Sequence, residues 1–377
     1  MENPFKKIFG GRKDASFLGV DIGSSSIKIV QLKKKKGVVV LETYGELSLG
    51  PYAKTEAGRS TILSEAETAE ALTNLLKESN VTTSECGVSI PLKSSLVFVM
   101  EMPTDDPKQL AQMVPIEARK YIPVPISEVD LDWKIIPKIN HATSGFDEST
   151  DSSVKEKPKD IKKTEVLVAA IHKDTVAQKK TIIENAKLNL NFLEIEIFST
   201  IRAVAGQNIL NFAVLDMGSG ATKLYLVEQG VIKDSHIIAR GSQDITLNIS
   251  RSTGISIDEA EKQKITIGVN GQTEKDKQVS DIVSSNLEYI FNETGKVILS
   301  YQKKYNKNID KLIVTGGGAV LNGMVDFAQS HSEMEAEVTD PFSKIETPAF
   351  LDDLLKKVGP GFAVSLGIAL RGLSQSE

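Results

Sequence analysis

Apolar residues along the first part of the chain come in short alternating blocks, separated by residues that turn the backbone. "FLGVDIGSSSIKIVQL", from Phe17 to Leu32, predicts a strand, a glycine and serine turn, and a second strand. "KKKKG" at Lys33 to Gly37 then reads as a solvated hairpin tip leading into a third strand, Val38 to Leu47. The period changes at Ser64 to Ser79, "SEAETAEALTNLLKES". Ala71, Leu72, Leu75 and Leu76 make one helical face there, and Ser64 with Glu67 forms a capping box. A further strand, Glu85 to Ile90, stops at Pro91.

From Pro91 to about Ile171 the texture differs. "SLVFVMEMP" predicts a strand and "TDDPKQLAQMV" a helix capped by Asp105 or Asp106, with Pro107 in its first turn. Pro115 is expected to kink or end that helix at Val114. "YIPVPISEVDLDWKII" leads through prolines into another strand. Residues 140–160 are polar without periodicity, which predicts a disordered loop, and "EVLVAAI" returns as a strand. A helix over Lys173 to Lys187 and a strand over Leu190 to Ile197 follow.

The second half repeats the opening. Placing Asp216 on Asp21, 195 residues apart, superposes "LDMGSGATKLYLV" on "VDIGSSSIKIVQL". Beyond it lie a strand near Ile232 to Ile238, helices over Gln243 to Thr253 and Ser256 to Lys264, and a long helix from about Val279 to Lys304, which Gly295 is expected to bend. "KLIVTGGGAVLNGMVDFAQ" reads as strand, triple-glycine turn and helix, and "GPGFAVSLGIALRGL" as a glycine-rich lead into a last apolar helix.

Composition narrows the class without naming a function. At 377 residues, 40% hydrophobic and 25% charged, the chain reads as an ordinary soluble globular protein of two or more domains. A net charge of −5 argues against nucleic acid as partner. One cysteine, Cys86, permits no internal disulfide and suits a reducing compartment, and four scattered histidines offer no metal spacing. No stretch is long and apolar enough to span a bilayer. The first 16 residues lack a signal peptide's apolar core and read as a flexible tail, although Phe5, Ile8 and Phe9 beside lysines could touch a membrane surface.

The repeated hairpins carry the candidate chemistry. A glycine and serine turn is by itself only a turn, but two related ones facing each other would present clustered backbone N–H groups to an anion such as phosphate. Gly23, Gly218 and Gly220 let a ligand approach, and hydroxyls add donors. Asp21 and Asp216 would repel phosphate unless a divalent cation lay between them, which suggests Mg²⁺. Lys28 is a point charge suited to a polyphosphate, while Lys223, its equivalent, is expected to face solvent. Gly316, Gly317 and Gly318 could lie under a flat ring or a ribose. Glu261 and Lys264, one turn apart, are either an exposed ion pair or contacts to ribose and base.

The order of these parts resembles the actin-like ATPase superfamily. The stretches "FLGVDIGSSSIKIVQL", "ARKYIPVPISEVDLDWKII", "LEIEIFSTIRAV", "DITLNISRSTGISIDEAEKQK" and "VTGGGAVLNG" resemble, within it, the PilM family of type IV pilus assembly. The resemblance implies an α/β fold, the duplicated ribonuclease-H-like actin fold of two lobes, with an extra subdomain of the FtsA 1C type. It implies a first lobe (1A) of 17–90 and 172–207, an inserted subdomain of 91–171, and a second lobe (2A) of 208–377 with 2B about 243–306.

By the same resemblance Asp21 and Asp216 hold Mg²⁺ through water. Ser24, Ser25, Ser26 and Lys28 take the β- and γ-phosphates of ATP from one side, and Gly218, Ser219, Gly220 and Thr222 from the other. Glu261 and Lys264 meet ribose and base, and Glu194 or Glu196, the latter with Asp21 as the catalytic candidate, orients the attacking water. The family implies a cytoplasmic scaffold with at most weak ATPase activity, peripheral to the inner membrane. It links the N-terminal peptide of a PilN-type membrane protein to pilus motor ATPases, with weak self-association. The expected peptide surface is "SLVFVMEM", the helix bearing Leu110 and Met113, and "YIPVP", around Arg119, Lys120 and Tyr121. An FtsA-like filament and a small-molecule kinase of the same fold stand as alternatives, and whether a pilus or a type II secretion-like machine is served stays open.

Overall fold

The computed structural model of the chain describes residues 15–56, 58–137, 163–206 and 211–375. The loop expected at 140–160 lies outside them, as does the tail expected at 1–16 except for its last two residues.

Alternation in the first block yields an antiparallel meander of β1 (Ser16–Ile22), β2 (Ser26–Lys35) and β3 (Val38–Ser48). After α1 (Glu65–Glu78), whose Ser64 and Glu67 make the reciprocal capping box, β4 (Glu85–Ile90) joins β1 in parallel. The chain then leaves to build an insert from β5 (Ser95–Met102), α2 (Pro107–Ala118), β6 (Val129–Ile135) and β7 (Thr164–His172). Its three strands pair in the order β5-β7-β6 around a small core that includes Met100, Leu110, Val114 and Val168. α3 (Lys173–Asn185) returns the chain to β8 (Asn189–Ile195), which closes the first sheet in the order β3-β2-β1-β4-β8, and α4 (Glu196–Val204) follows.

The second sheet repeats that plan. β9 (Asn211–Met217), β10 (Thr222–Glu228) and β11 (Val231–Ile238) form the meander. Helices α5 (Ser242–Thr253), α6 (Ile257–Ile267) and α7 (Glu274–Tyr305) intervene before β12 (Lys311–Thr315), α8 (Met324–His331) and β13 (Glu335–Val338). The order β11-β10-β9-β12-β13 has the same run of antiparallel and parallel ladders as the first sheet. The repeat legible in the two Asp-Gly-Ser turns is therefore a repeat of whole sheets.

α9 (Asp352–Val358) and α10 (Ala363–Gln375) follow, and α10 bears on the expected lobe boundary. The sequence groups it with the second lobe, yet it packs on β1, β2, β4 and α4 of the first. Leu366, Ala369 and Leu373 share one core with Phe17 and Val30 of the first sheet and with Phe212, Val214 and Ile313 of the second. The α4 and α10 pair is thus the layer between the two sheets. The outer face of the first sheet is covered by α1 and α3, and that of the second by α5 to α8.

Three local expectations change. Pro115 does not end α2, which runs on to Ala118: burial of Val114 and Ala118 in the insert core offsets the one backbone hydrogen bond a proline removes. The strand expected to Ile197 stops at Ile195, so Glu196 is the first residue of a helix. α7 starts earlier than its apolar pattern, at a capping box of Thr273 and Asp276, and runs unbroken through Gly295. Among the described residues no helix is long and apolar enough to cross a membrane.

Seating α10 depends on Gly19 in the middle of β1, where a Cβ would run into the Ser365 carbonyl oxygen. Gly19→Ala forces a backbone shift in a fully packed layer, and the expected cost is about 1–3 kcal/mol, read as a lowered urea midpoint. An unchanged midpoint would contradict this seating of the helix.

Candidate functional site

Each sheet ends one of its meander hairpins in the same device. In the first, Gly23 N–H donates to the Ser26 carbonyl at 3.0 Å; in the second, Gly218 N–H donates to the Ala221 carbonyl at 3.1 Å. Asp21 stands opposite Lys28 across the β1 and β2 ladder, and Asp216 opposite Lys223 across β9 and β10. Partners in such a register project from the same face of the sheet. Both turns line one cleft of about 300 Å³ between the sheets, together with Glu261, Lys264, Gly316 and Gly317. Among the described residues, the backbone N–H groups of Ser24, Ser25 and Ser219 have no protein acceptor, so the turns offer open donors to an anion.

Charges in the cleft are paired unevenly. Asp21 accepts a hydrogen bond from the Ser89 hydroxyl at 2.7 Å. Lys28 bonds to Ser26 Oγ and to Glu46, both at 2.9 Å. Burial works to raise the Glu46 carboxyl, but the Lys28 charge and hydrogen bonds from Lys28 and Ser26 hold it below its ordinary range. Lys223 does not face solvent as expected. It points into the cleft, 2.7 Å from Glu196 and 3.4 Å from Asp216. The register decides this: Lys223 pairs with Asp216 across β9 and β10, so both side chains leave the same face of the sheet.

Glu196 sits at the start of α4 with both oxygens engaged: one accepts from Leu92 N–H at 2.6 Å, the other from Lys223. Burial pushes its carboxyl up, Lys223 pulls it down, and the neighbouring carboxylates Asp216 and Asp21 add to the rise, which is the net direction. Glu194, its alternative, lies away from the cleft. Arg202, Arg371 and Ser199 all bond to Glu194, so it is a structural ion-pair hub between α4, α10 and β8.

On the other side of the cleft the Lys264 ammonium is buried and donates to Glu261 at 2.7 Å, Thr246 Oγ1 at 3.0 Å and the Ser242 carbonyl at 3.3 Å. That excludes the exposed ion pair considered for these residues and leaves Glu261 as the more accessible partner. Gly316 has φ +87°, and a Cβ there would lie 2.5 Å from Asp216 Oδ1, so only glycine lets β12 pass so close to that carboxylate.

Three of the expected phosphate and base contacts are placed otherwise. Thr222 is fully buried and spends its hydroxyl on the Arg240 carbonyl at 2.8 Å. Gly318 packs on Met217 behind the cleft wall, and Gly220 is exposed beside Ser60 and Ser24 outside the lining. Several lining groups carried no signal in the sequence. Gly58 and Ser60 reach across to the second lobe, where Ser60 N–H donates to Gln243 Oε1 and Ser219 Oγ to the Gly58 carbonyl. Pro360, from the segment before α10, accepts from both Gly316 N–H and Thr315 Oγ1 at 3.0 Å.

A larger groove, about 630 Å³, lies between the insert and the first lobe. Its walls include β6 and β8, each an edge strand of its sheet, with Trp133, Phe192, Phe198 and Lys180 among the lining side chains. Among the described residues neither edge pairs with a further strand, so two strand edges border one groove.

The sequence matches the family described as Type IV pilus assembly protein PilM over residues 19–373. The cell division protein FtsA of Enterococcus hirae is 27% identical over 179 residues, 42% of this chain and 40% of that protein. The chain thus spans about two fifths of the length of that curated relative. Among solved structures, a chain described as "PilM-PilN type IV pilus biogenesis complex" aligns with TM-score 0.76 at 23% identity, covering 96% of this chain and 99% of that one. MreB5 of Spiroplasma citri bound to ADP aligns with TM-score 0.50 at 12% identity, covering 96% of each chain. The fold is the actin-like one.

Beneath the cleft floor, Lys179 of α3 is buried. Burial drives its ammonium down to about 8, against the pull of Asp21 and Glu196, and Lys93 adds to the fall. An unfolded lysine titrates at 10.5, so between these values the unfolded chain holds more protons and stability rises with pH. Below that window the cost of the buried charge is fully present. Lys179→Met should therefore be more stable than the natural chain at pH 7, with the difference shrinking as pH climbs from 8 towards 10.5. Urea unfolding of both proteins at the two ends of the window checks this; a difference that stays constant would rule it out.

Proposed function

The chain belongs to the family of type IV pilus assembly protein PilM, and on that premise we propose that it is a nucleotide-binding scaffold rather than a fast enzyme. Its cleft takes Mg·ATP, and its insert groove takes an extended peptide from a membrane partner. The observation that carries the first half is the pair of equivalent turns with unbonded N–H groups on one cleft. Ser24 and Ser25 would bind phosphate oxygens from one lobe and Ser219 from the other, beside Lys28, which Ser26 and Glu46 hold at the cleft wall. Glu261 would meet the ribose, and Gly316 and Gly317 would lie under the nucleotide. A structure of the same fold is described as bound to ADP, which supports a nucleotide as the class of ligand.

The donor set fits Mg²⁺. Asp21 and Asp216 are two carboxylates on opposite sides of the cleft, and this ion keeps several waters and takes phosphate oxygens for the rest. Among the described residues no group of three or more His, Cys, Asp or Glu forms a cage of its own. When bound, the ion would neutralise charge between the aspartates and the phosphates. Glu196 is the group nearest in kind to a water-orienting base, but both its oxygens are already occupied by Leu92 N–H and Lys223. Turnover should be slow for that reason.

The second half rests on the open edges of β6 and β8. An extended peptide could add main-chain hydrogen bonds at either edge while its apolar side chains bury against Trp133, Phe192 and Phe198. A related chain is described in complex with PilN, which supports a PilN-type peptide as the occupant. The surface expected from the sequence is less suited. Leu110 is buried in the insert core, and β5 pairs with β7 on one edge and lies against β11 on the other. Attachment to a membrane, and to pilus motor ATPases beyond it, would follow through such a partner.

Asp21→Ala and Asp216→Ala should each weaken Mg·ATP binding by about tenfold or more, the worth of one charge-assisted contact of roughly 1.5–3 kcal/mol. Calorimetry on folded protein decides; unchanged affinity in both variants sinks the nucleotide site. Steady-state hydrolysis should stay below about 1 s⁻¹, under the usual enzyme range, and faster turnover would favour a kinase or motor. For the groove, Trp133→Ala should weaken binding of the partner's N-terminal peptide about tenfold, the scale of an interface aromatic, while leaving ATP binding intact. Tyr121→Ala serves as the counter-case: loss of peptide binding there, with Trp133→Ala normal, would return the site to the end of α2.

A further inference from the structure

Lys28 and Lys223 hold equivalent places in the two hairpins but have opposite fates. Lys28 is drawn outward to Glu46, a cross-strand neighbour on β3, and the two charges cancel locally at 2.9 Å. Lys264 and Glu261 cancel in the same way at 2.7 Å. What remains at the centre is three carboxylates, Asp21, Glu196 and Asp216, with the Lys223 ammonium against two of them, its side chain 21% exposed; Lys357 also lines the cleft, and the buried Lys179 feels Asp21 and Glu196. The ammonium touches two of the three, at 2.7 Å and 3.4 Å.

We propose that Lys223 is a built-in counter-cation of the phosphate site, reducing the dependence of nucleotide binding on a divalent ion. This rests on the nucleotide reading above and adds to it a residue that sets the metal requirement. A polyphosphate entering a cleft with three uncompensated carboxylates meets repulsion at every one of them. An ammonium fixed between Glu196 and Asp216 removes most of the repulsion from the second lobe without a metal. The same ammonium competes for Asp216 with any divalent ion, because two cations cannot both sit against one carboxylate without repelling each other. Its placement is enforced. Lys223 lies in the middle strand of the meander, its register partner is Asp216, and Glu196 is held in place from behind by Leu92 N–H. Lys223 acts on phosphate through the field of the cleft and is a positioning residue.

The test compares ATP affinity of the full chain by calorimetry in excess Mg²⁺ and in EDTA. The natural protein should lose less than about tenfold on removal of the metal, since one ammonium already supplies a charge-assisted interaction of that order. Lys223→Gln should lose at least about tenfold more than the natural protein does, because its carboxylates then need the ion, and Lys223→Arg should restore the natural ratio. Removing Lys223 leaves the buried Glu196 with Leu92 N–H but without its counter-cation, so the double variant Glu196→Gln with Lys223→Met provides the folded control. With one carboxylate neutralised, its loss in EDTA should fall between the two. Equal ratios in the natural protein and Lys223→Gln would overturn the proposal while leaving the nucleotide site standing. Absence of ATP binding to the natural protein in Mg²⁺ would overturn the nucleotide reading itself.

Discussion

Two carboxylates of like charge, Asp21 and Asp216, end equivalent strands on opposite walls of one cleft, and the structure is arranged around keeping them there. Neither could be tolerated so close to the other's lobe without counter-charge and hydrogen bonds. Ser89 supplies a hydroxyl to Asp21, and Lys223 and Tyr225 serve Asp216. Burial pushes the Tyr225 phenol well up, with Asp216 adding to the rise, so it remains a donor to that carboxylate. An electrostatic constraint of this kind is what a phosphate and metal site needs and what a merely structural hairpin does not.

The cleft is not isolated from the insert. Glu196, which holds Lys223 with one oxygen, takes Leu92 N–H with the other, and Leu92 opens the short turn that leads into β5. The helix that begins at Glu196 also places Phe198 in the wall of the groove between β6 and β8. A change of charge at the centre of the cleft thus acts on a residue bonded directly to the root of the insert. The layer of α4 and α10, packed on both sheets at once, gives the lobes a shared core. Lys233 on β11 pairs with Glu165 on β7 at 2.6 Å, tying the insert to the second lobe as well.

How much of this was legible in the sequence depended on whether a signal was local. The paired turns, the capping box at Ser64 and the strand, triple-glycine turn and helix at 311–331 are written in adjacent residues, and each was read with its element type. Glu196 was read as strand because "FLEIEIF" alternates; its helical conformation follows from burial of Ile197, Thr200 and Ala203 on one face against α10, which is a long-range fact. Thr222 is expected from the sequence at the phosphates and Lys223 in solvent; the register instead puts Lys223 on the cleft face beside Asp216 and Thr222 in the core. The packing of α10 on the first sheet could not be read locally at all. Its apolar pattern says that it is buried, and only Gly19, a glycine in mid-strand, hinted at what it is buried against.

The most direct test is a crystal structure of the chain grown with Mg²⁺ and a non-hydrolysable ATP analogue. The expected result is triphosphate density between residues 23–26 and 218–219, with the ribose beside Glu261 and Lys223 still against Glu196. Density for the analogue anywhere else, or a turn pair left without a ligand at saturating analogue, would contradict the assignment of this cleft.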